Sequence, residues 1–202
     1  MKVPINRSIN YLKNKKKILL LTTSNRWKGD NEIPKSTLIS KTLQKNLGKN
    51  KVTILDTTKI KIYHCEGNIS RNEGNNCGKP ESQLKNKFKN PSGNHRCWAS
   101  INNKDDELWK ISKLLFESDC VIFFGSVRWG QMNAYYQKLI ERLSWIENRH
   151  STLREKNLLK NIDAGLIITG QNWNGKNVLQ TQQEVLKFFG FNLIKDLCWN
   201  WQ

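Results

Sequence analysis

Residues 120–143, CVIFFGSVRWGQMNAYYQKLIERL, decide the fold class. A wholly apolar run at 121–124 ends abruptly in a polar, glycine-containing loop, and that loop feeds a helix. Tyr135, Leu139, Leu143 and Ile146 fall at helical spacing on one face, with Gln137, Lys138, Glu141 and Arg142 largely elsewhere. A strand buried on both faces, followed by a loop and a packing helix, is the unit of a parallel α/β sheet. Small ligands bind such sheets outside the carboxyl ends of the strands. Ser126, Val127, Arg128, Trp129 and Gly130 stand at that place, where an aromatic beside a glycine suits a flat ring lying against backbone.

The same alternation recurs on either side. A strand at 17–22 leads into the loop TTSNRWKGDNEIPKST (22–37), then a helix with Ile39, Leu43 and Leu47 inside and Gly48 as its terminator. A second strand spans 51–56. An irregular, Asn-, Lys- and Gly-rich insert follows at about 57–104, holding Cys65, Cys77 and Cys97. Asp105 and Asp106 favour the start of the next helix through its dipole, and Leu108, Ile111 and Leu115 give that helix an inner face. The third strand is 120–124, with its helix at 134–147. A strand at 164–169, the loop GQNWNGKN (170–177), a helix at 178–189 and a strand at 192–197 complete the pattern. This predicts a doubly wound, five-stranded parallel sheet with the flavodoxin-like order 2-1-3-4-5, although spacing alone leaves Rossmann-type orders open. The first loop carries only Gly29 and no GxGxxG, which counts against a dinucleotide site. With no internal repeat or dividing linker, residues 16–202 read as one domain behind a basic polar tail at 1–15.

A chain of 202 residues can bury roughly 70% of its unfolded surface. No apolar run approaches the ~20 residues of a membrane span, and the apolar run near the start is cut at Thr22, unlike an export signal. Five cysteines, an odd number in no regular framework, predict free thiols in a reducing cytoplasm. The formal charge of +17 comes from 34 Lys and Arg against 17 Asp and Glu. Lys2, Arg7, Lys13, Lys15, Lys16 and Lys17 contribute to it with no acid among them. No helix-turn-helix, zinc-finger spacing or aromatic RNA motif accompanies the charge. It reads as solvated surface with weak affinity for polyanions, with no specific nucleic acid and no membrane as partner.

Two sets of loops carry the candidate chemistry. Ser24, Ser36 and Thr37, the cations Arg26 and Lys35, and the free amides opening a helix can converge on one phosphate. The competing reading is that Ser36 or Thr37 only caps the helix. Loops 125–133 and 170–177 each pair a Trp, Trp129 or Trp173, with Gly, Asn and Gln, and suit a planar heterocycle. Amphipathic tryptophans also pack on neighbouring loops for their own sake. His64, Cys65, Cys77, His95 and Cys97 lack a close CxxC or HxxxH pair, so no metal site is predicted. Cys120 and Cys198 read as small core residues. Without a Ser-His-Asp or GxSxG pattern, nucleophilic hydrolysis has little support.

Taken together, these loops resemble those of the flavodoxin-like NAD(P)H-dependent FMN reductases and the related iron–sulfur flavoproteins, over residues 16 to about 197. SVRWGQMNAYYQKLIERL keeps that family's Val127, Trp129, Gly130, Lys138, Glu141 and Arg142, with Ser126 and Arg128 where Pro and Tyr are usual. Ser24, Arg26, Ser36 and Thr37 match its first loop, made longer here by residues 27–34. Gly170 and Gly175 match its last glycine-rich turn, with residues 172–174 between them. The resemblance implies FMN held by Ser24, Arg26, Ser36, Thr37, residues 126–130, Gly170, Asn172, Trp173 and Gly175. It further implies NADH or NADPH as electron donor, a quinone-like or other small electrophilic acceptor, and a homodimer. Many relatives carry four cysteines spaced C-x-x-C-x-x-C-x-x-x-x-x-C. Cys65, Cys77 and the Asp105–Asp106 pair match, but Asn68 and Arg71 replace the middle thiols, so no iron–sulfur cluster is expected. Two other readings remain: a flavodoxin-type one-electron carrier, and a basic polyanion-binding protein that has lost flavin. The cofactor does the chemistry in such proteins, and no general acid or base is assigned.

Overall fold

Strand β1 (Ile18–Thr22) is buried at every position, and β3 (Cys120–Arg128) at all but its last. Apolar burial on both faces calls for helices on both sides. β1 pairs in parallel with β2 (Val52–Asp56) and with β3, β3 pairs with β5 (Asp163–Thr169), and β5 with β6 (Asn192–Trp201). The order is β2-β1-β3-β5-β6, with the two-residue β4 (Gln131–Met132) antiparallel to the end of β3. Leaving β4 aside, this is the expected flavodoxin-like order. These are the features of a computed structural model, which describes residues 2–26, 31–170 and 173–201.

Alternation along the central strands sorts the core into two layers. Leu19, Leu21, Val121 and Phe123 pack with α4 (Leu108–Glu117), α5 (Ala134–Ser151) and α6 (Gly175–Phe188). Ile18, Leu20, Ile122 and Phe124 pack with α1 (Lys2–Leu12) and α2 (Lys35–Leu47). The helix α1 replaces most of the expected polar tail. Ile5, Ile9 and Leu12 form a narrow apolar stripe against the sheet. Ser8 Oγ donates to the Asp196 carbonyl at 2.7 Å, and Tyr11 Oη donates to Asp163 at 2.5 Å. Burying one such aliphatic side chain contributes about 1.5–3 kcal/mol, which helps to hold the helix on the sheet. With Val3 exposed and polar residues between the others, the apolar period was too weak to read.

Other boundaries move for local reasons. β3 continues past Phe124 to Arg128, because Trp129 and Gly130 turn the chain back into β4. Both turn residues have positive φ, 49° and 71°, the signature of a two-residue hairpin turn whose twist matches the strands. The helix after β4 runs on to Ser151, and α6 starts at Gly175, earlier than its apolar period suggests. β6 extends to Trp201, with a register shift against β5 between Ala164 and Leu166.

The insert has little regular structure: two short 3-10 turns, the five-residue α3 (Trp98–Asn102) and a bridge between Gln83 and Arg96. Polar groups on α5 fasten it. Arg142 donates to the Tyr63 carbonyl at 2.7 Å and Asn148 to that of Cys77 at 2.5 Å. Arg149 donates to the carbonyl of Asn94 at 2.8 Å. The backbone at Gly78 passes so close to α5 that a Cβ there would lie 2.6 Å from the Trp145 carbonyl oxygen.

Asp106 does not serve chiefly to start a helix. It is buried and pairs with the equally buried Arg142 at 2.8 Å, although it also accepts from the Leu108 amide at 3.2 Å. Burial alone would raise its pKa. The hydrogen bonds and charge of Arg142, with the Tyr63 amide and Ser100 hydroxyl, win and hold it below the usual carboxylate range.

Candidate functional site

The carboxyl ends of β1, β3 and β5 open into one cavity of about 450 Å³. Ser24, Asn25 and Arg26 line it from the end of β1, and Glu32, Pro34 and Lys35 from the approach to α2. Ser126, Val127 and Arg128 line it from β3, Thr169 and Gly170 from β5. Six of the thirteen residues expected at the site, Ser24, Arg26, Ser126, Val127, Arg128 and Gly170, therefore share one wall. Ser36 follows Lys35 directly and is fully buried, while Thr37 is half-buried one residue on. Asn172 lies outside the described residues.

The reading of Ser36 or Thr37 as a mere helix cap does not hold. The residue capping α2 is Pro34, and no side chain caps this helix. The first amides of a helix have no partner within it, and together with the dipole they favour an anion. Ser24 Oγ and Ser36 Oγ are buried and find no hydrogen-bond partner among the described residues. A buried hydroxyl left unpaired is costly, roughly 1–3 kcal/mol, so two of them beside a helix start mark a place shaped for an oxygen-rich group. Arg26 reaches Glu32 at 3.2 Å, and Lys35 Nζ stands 5.2 Å from the centre of the Trp201 ring.

One residue that the sequence reading passed over holds the strand ends together. Asn133 is buried, and its Nδ2 donates to Thr23 Oγ1 at 3.1 Å and to Ser126 Oγ at 3.2 Å. Its Oδ1 accepts from the Tyr136 amide at 3.1 Å and so caps α5. Thr23 in turn donates to the Phe124 carbonyl at 2.7 Å. A single side chain thus ties β1, β3 and α5. An Asn immediately before a helical period was the available signal.

The tryptophans lie beside this cavity rather than inside it. Trp129 is 89% exposed at the tip of the hairpin, held at a φ that non-glycine residues seldom adopt. Trp173 is also exposed, and its six-membered ring lies over Gly130, where a Cβ would approach it to 3.0 Å. Asn174 Nδ2 donates to the Gly130 carbonyl at 3.0 Å and locks the two loops to each other. Trp173 thus does pack on a neighbouring loop, while Trp129 presents its ring to solvent. Gly175, expected to touch ligand, is the buried first residue of α6 and does not line the cavity.

The cysteines of the insert gather elsewhere. Cys65, Cys77 and Cys97 border a recess of about 10 Å³ with Arg142 and Trp145. Burial first, then Cys97 and Cys65, push the Cys77 thiol up to about 12. Among the described residues, no group of three or more His, Cys, Asp or Glu is placed to hold a metal ion. His95 is buried against Trp145, with ring centres 5.1 Å apart, and its Nδ1 lies 2.7 Å from Ser112 Oγ. Desolvation drives its pKa down to about 3, so its ring is neutral at ordinary pH.

No family model and no curated protein sequence matches the chain. Solved structures do. RosB with bound 8-demethyl-8-formylriboflavin-5'-phosphate is 14% identical, with a TM-score of 0.57 over 92% of this chain and 64% of that one. This chain therefore spans slightly less than two thirds of that protein's length. An azoreductase from Bacillus anthracis is also 14% identical, with a TM-score of 0.52 over 88% of this chain and 84% of that one. The apo form of an NADH:FMN oxidoreductase is 9% identical, at a TM-score of 0.50 over 88% and 71%. At such identities the likeness is one of fold: all share the flavodoxin-like α/β architecture. Function has to come from the site.

Proposed function

We propose that the protein is an FMN-dependent oxidoreductase that takes electrons from NADH or NADPH and delivers them to a small electrophilic acceptor such as a quinone. The observation that carries this reading is the pair of buried, unpaired hydroxyls, Ser24 Oγ and Ser36 Oγ, at the uncapped start of α2. The residues present fit a phosphate: two hydroxyl donors, helix amides, and the cations Arg26 and Lys35 on one cavity wall. FMN in that cavity would supply the hydride and electron transfer, which no protein side chain can perform.

The chain's own residues bind and orient. Ser24, Ser36 and the α2 amides donate to phosphate oxygens, while Arg26 and Lys35 balance the charge. Asn133 ties the ends of β1 and β3 together beside the cavity that would hold FMN. Trp129 and the Trp173 loop wall the mouth, and exposed Arg128 draws an anionic edge of the nicotinamide substrate or the acceptor. As relatives in the resembled family pair, so two copies of this chain are proposed to associate, in a reducing cytoplasm.

Anaerobic mixing of FMN-loaded protein with NADH and with NADPH tests the proposal. One of the two should bleach the flavin, and an added quinone should restore its colour. Arg128→Ala should slow one of those steps and leave FMN bound. If neither nucleotide bleaches the flavin, while a one-electron donor yields a long-lived half-reduced protein, the chain is an electron carrier instead.

A further inference from the structure

A second surface, on the insert and α4, has the composition of a site for single-stranded nucleic acid. Between Glu81 and Asp105 the sequence holds no acidic residue, and Lys85, Lys87 and Lys89 alternate through it. Phe88, among them, is 73% exposed. Its ring centre lies 5.9 Å from that of half-buried Trp109 on α4. Lys113 Nζ sits 5.1 Å from the Phe88 ring centre, and Lys89 and Lys110 each sit 5.8 Å from that of Trp109. Three lysines thus stand over two adjacent aromatic rings, and Lys85 and Lys87 lie beside Phe88 in the sequence. Glu107 pairs with Lys110.

An isolated exposed phenylalanine would mean little, since single apolar residues are common on surfaces. Phe88, however, is held out by a built turn. Asn86 Oδ1 accepts from the amides of both Phe88, at 3.0 Å, and Lys89, at 3.1 Å. The Asn90 amide closes the turn on the Asn86 carbonyl at 2.8 Å. Asn90 itself is buried: Nδ2 donates to the Leu84 carbonyl at 2.8 Å and Oδ1 accepts from the His95 amide at 3.0 Å. The ring is therefore presented on a prepared scaffold, so ordering it on contact costs little entropy. Alongside runs a groove of about 620 Å³, lined by Lys85, Lys87, Asn90 and Ser92 among others.

Exposed rings give bases a stacking face, and interleaved cations follow the phosphates. A duplex hides its base faces and would meet only the lysines. We propose that Phe88 and Trp109, with Lys85, Lys87, Lys89, Lys110 and Lys113, bind single-stranded RNA or DNA without sequence preference. This surface is separate from the strand-end cavity and independent of the flavin reading.

Fluorescence anisotropy with the full chain at physiological salt tests it, using labelled oligo(U), oligo(dT), duplex DNA of equal length, and heparin as a polyanion without bases. At least one single strand should bind more tightly than both the duplex and heparin, and which one shows whether RNA or DNA is preferred. Raising salt should weaken all of them, as counterion release requires. Phe88→Ala removes an exposed side chain, so the fold should persist by circular dichroism. It should cost single-strand affinity about tenfold, the scale of one lost stack, and leave duplex and heparin binding unchanged. Equal binding of single strand, duplex and heparin would overturn the proposal, as would single-strand binding that Phe88→Ala leaves intact, or no single-strand binding at all.

Discussion

Two regions bury polar side chains in different ways. Where the insert meets α5, buried side chains form a dense hydrogen-bond network, although single atoms such as Arg142 Nε, Arg96 Nε and Trp145 Nε1 stay unpaired within it. Arg142 reaches both oxygens of Asp106, Ser100 Oγ and the Tyr63 carbonyl, and Arg149 reaches Glu155 and the Asn94 carbonyl. At the strand ends, Ser24 Oγ and Ser36 Oγ are buried without partners among the described residues, a tryptophan sits at positive φ, and two tryptophans are exposed. Matched polar groups hold a loop-rich segment in place. Unpaired hydroxyls beside an open cavity and a helix start, rather than inside such a network, are placed to meet a ligand. Where the unpaired atoms lie separates scaffold from site.

The sharpest way to break this contrast is at the matched side. Asp106→Ala leaves the Arg142 charge buried and alone, and should cost about 3–5 kcal/mol of stability in denaturant unfolding. The pH dependence follows from the sign of the shift. Asp106 is held below its unfolded value of about 3.9, so its contribution is complete above that pH. It is lost as pH falls from there through the lower folded value. Acid unfolding of Asp106→Asn should lack that component.

At the unmatched side the prediction reverses. Ser24→Ala and Ser36→Ala remove hydroxyls that have nothing to bond, so flavin-free stability should hold or rise by about 0.5–1 kcal/mol. FMN affinity should drop about tenfold for each, the scale of one charge-assisted hydrogen bond. A melt paired with a flavin titration checks both signs. Loss of stability in either variant would mean that the hydroxyl is structural. The smallest expected effect is at the hairpin. Trp129→Asn places a residue more tolerant of positive φ, and should stabilise by roughly 1 kcal/mol or less in thermal unfolding, while turnover with NAD(P)H slows.

The sheet was legible because its strands are buried on both faces and its helices keep a clear apolar period. Those two patterns set the alternation of strand and helix and left Rossmann-type orders open; the strand pairing settles the order as the flavodoxin-like one. The strand-end cavity was legible too, since Ser24, Arg26 and Lys35, which line it, bracket a strand end and a helix start. What escaped reading depends on contacts distant in sequence. Helix α1 forms because β6, almost two hundred residues on, offers Asp196 and Trp199 to Ser8. Asp106 looks like a helix starter until Arg142 is seen beside it. Asn133 shows itself as a latch only when Thr23 and Ser126 are brought within reach. Gly175 looked like a ligand contact and is a buried helix start.

The central claim is that the cavity at the ends of β1, β3 and β5 is built around a phosphate. It is tested most directly by titrating FMN and riboflavin, which differ only in that group, into the wild-type chain and Arg26→Ala, following flavin fluorescence. The wild type should bind FMN far more tightly than riboflavin. Arg26→Ala should weaken FMN strongly, leave riboflavin almost unchanged, and so narrow the difference between them. Equal affinity of the wild type for both flavins, or equal loss of both on substitution, would contradict the claim.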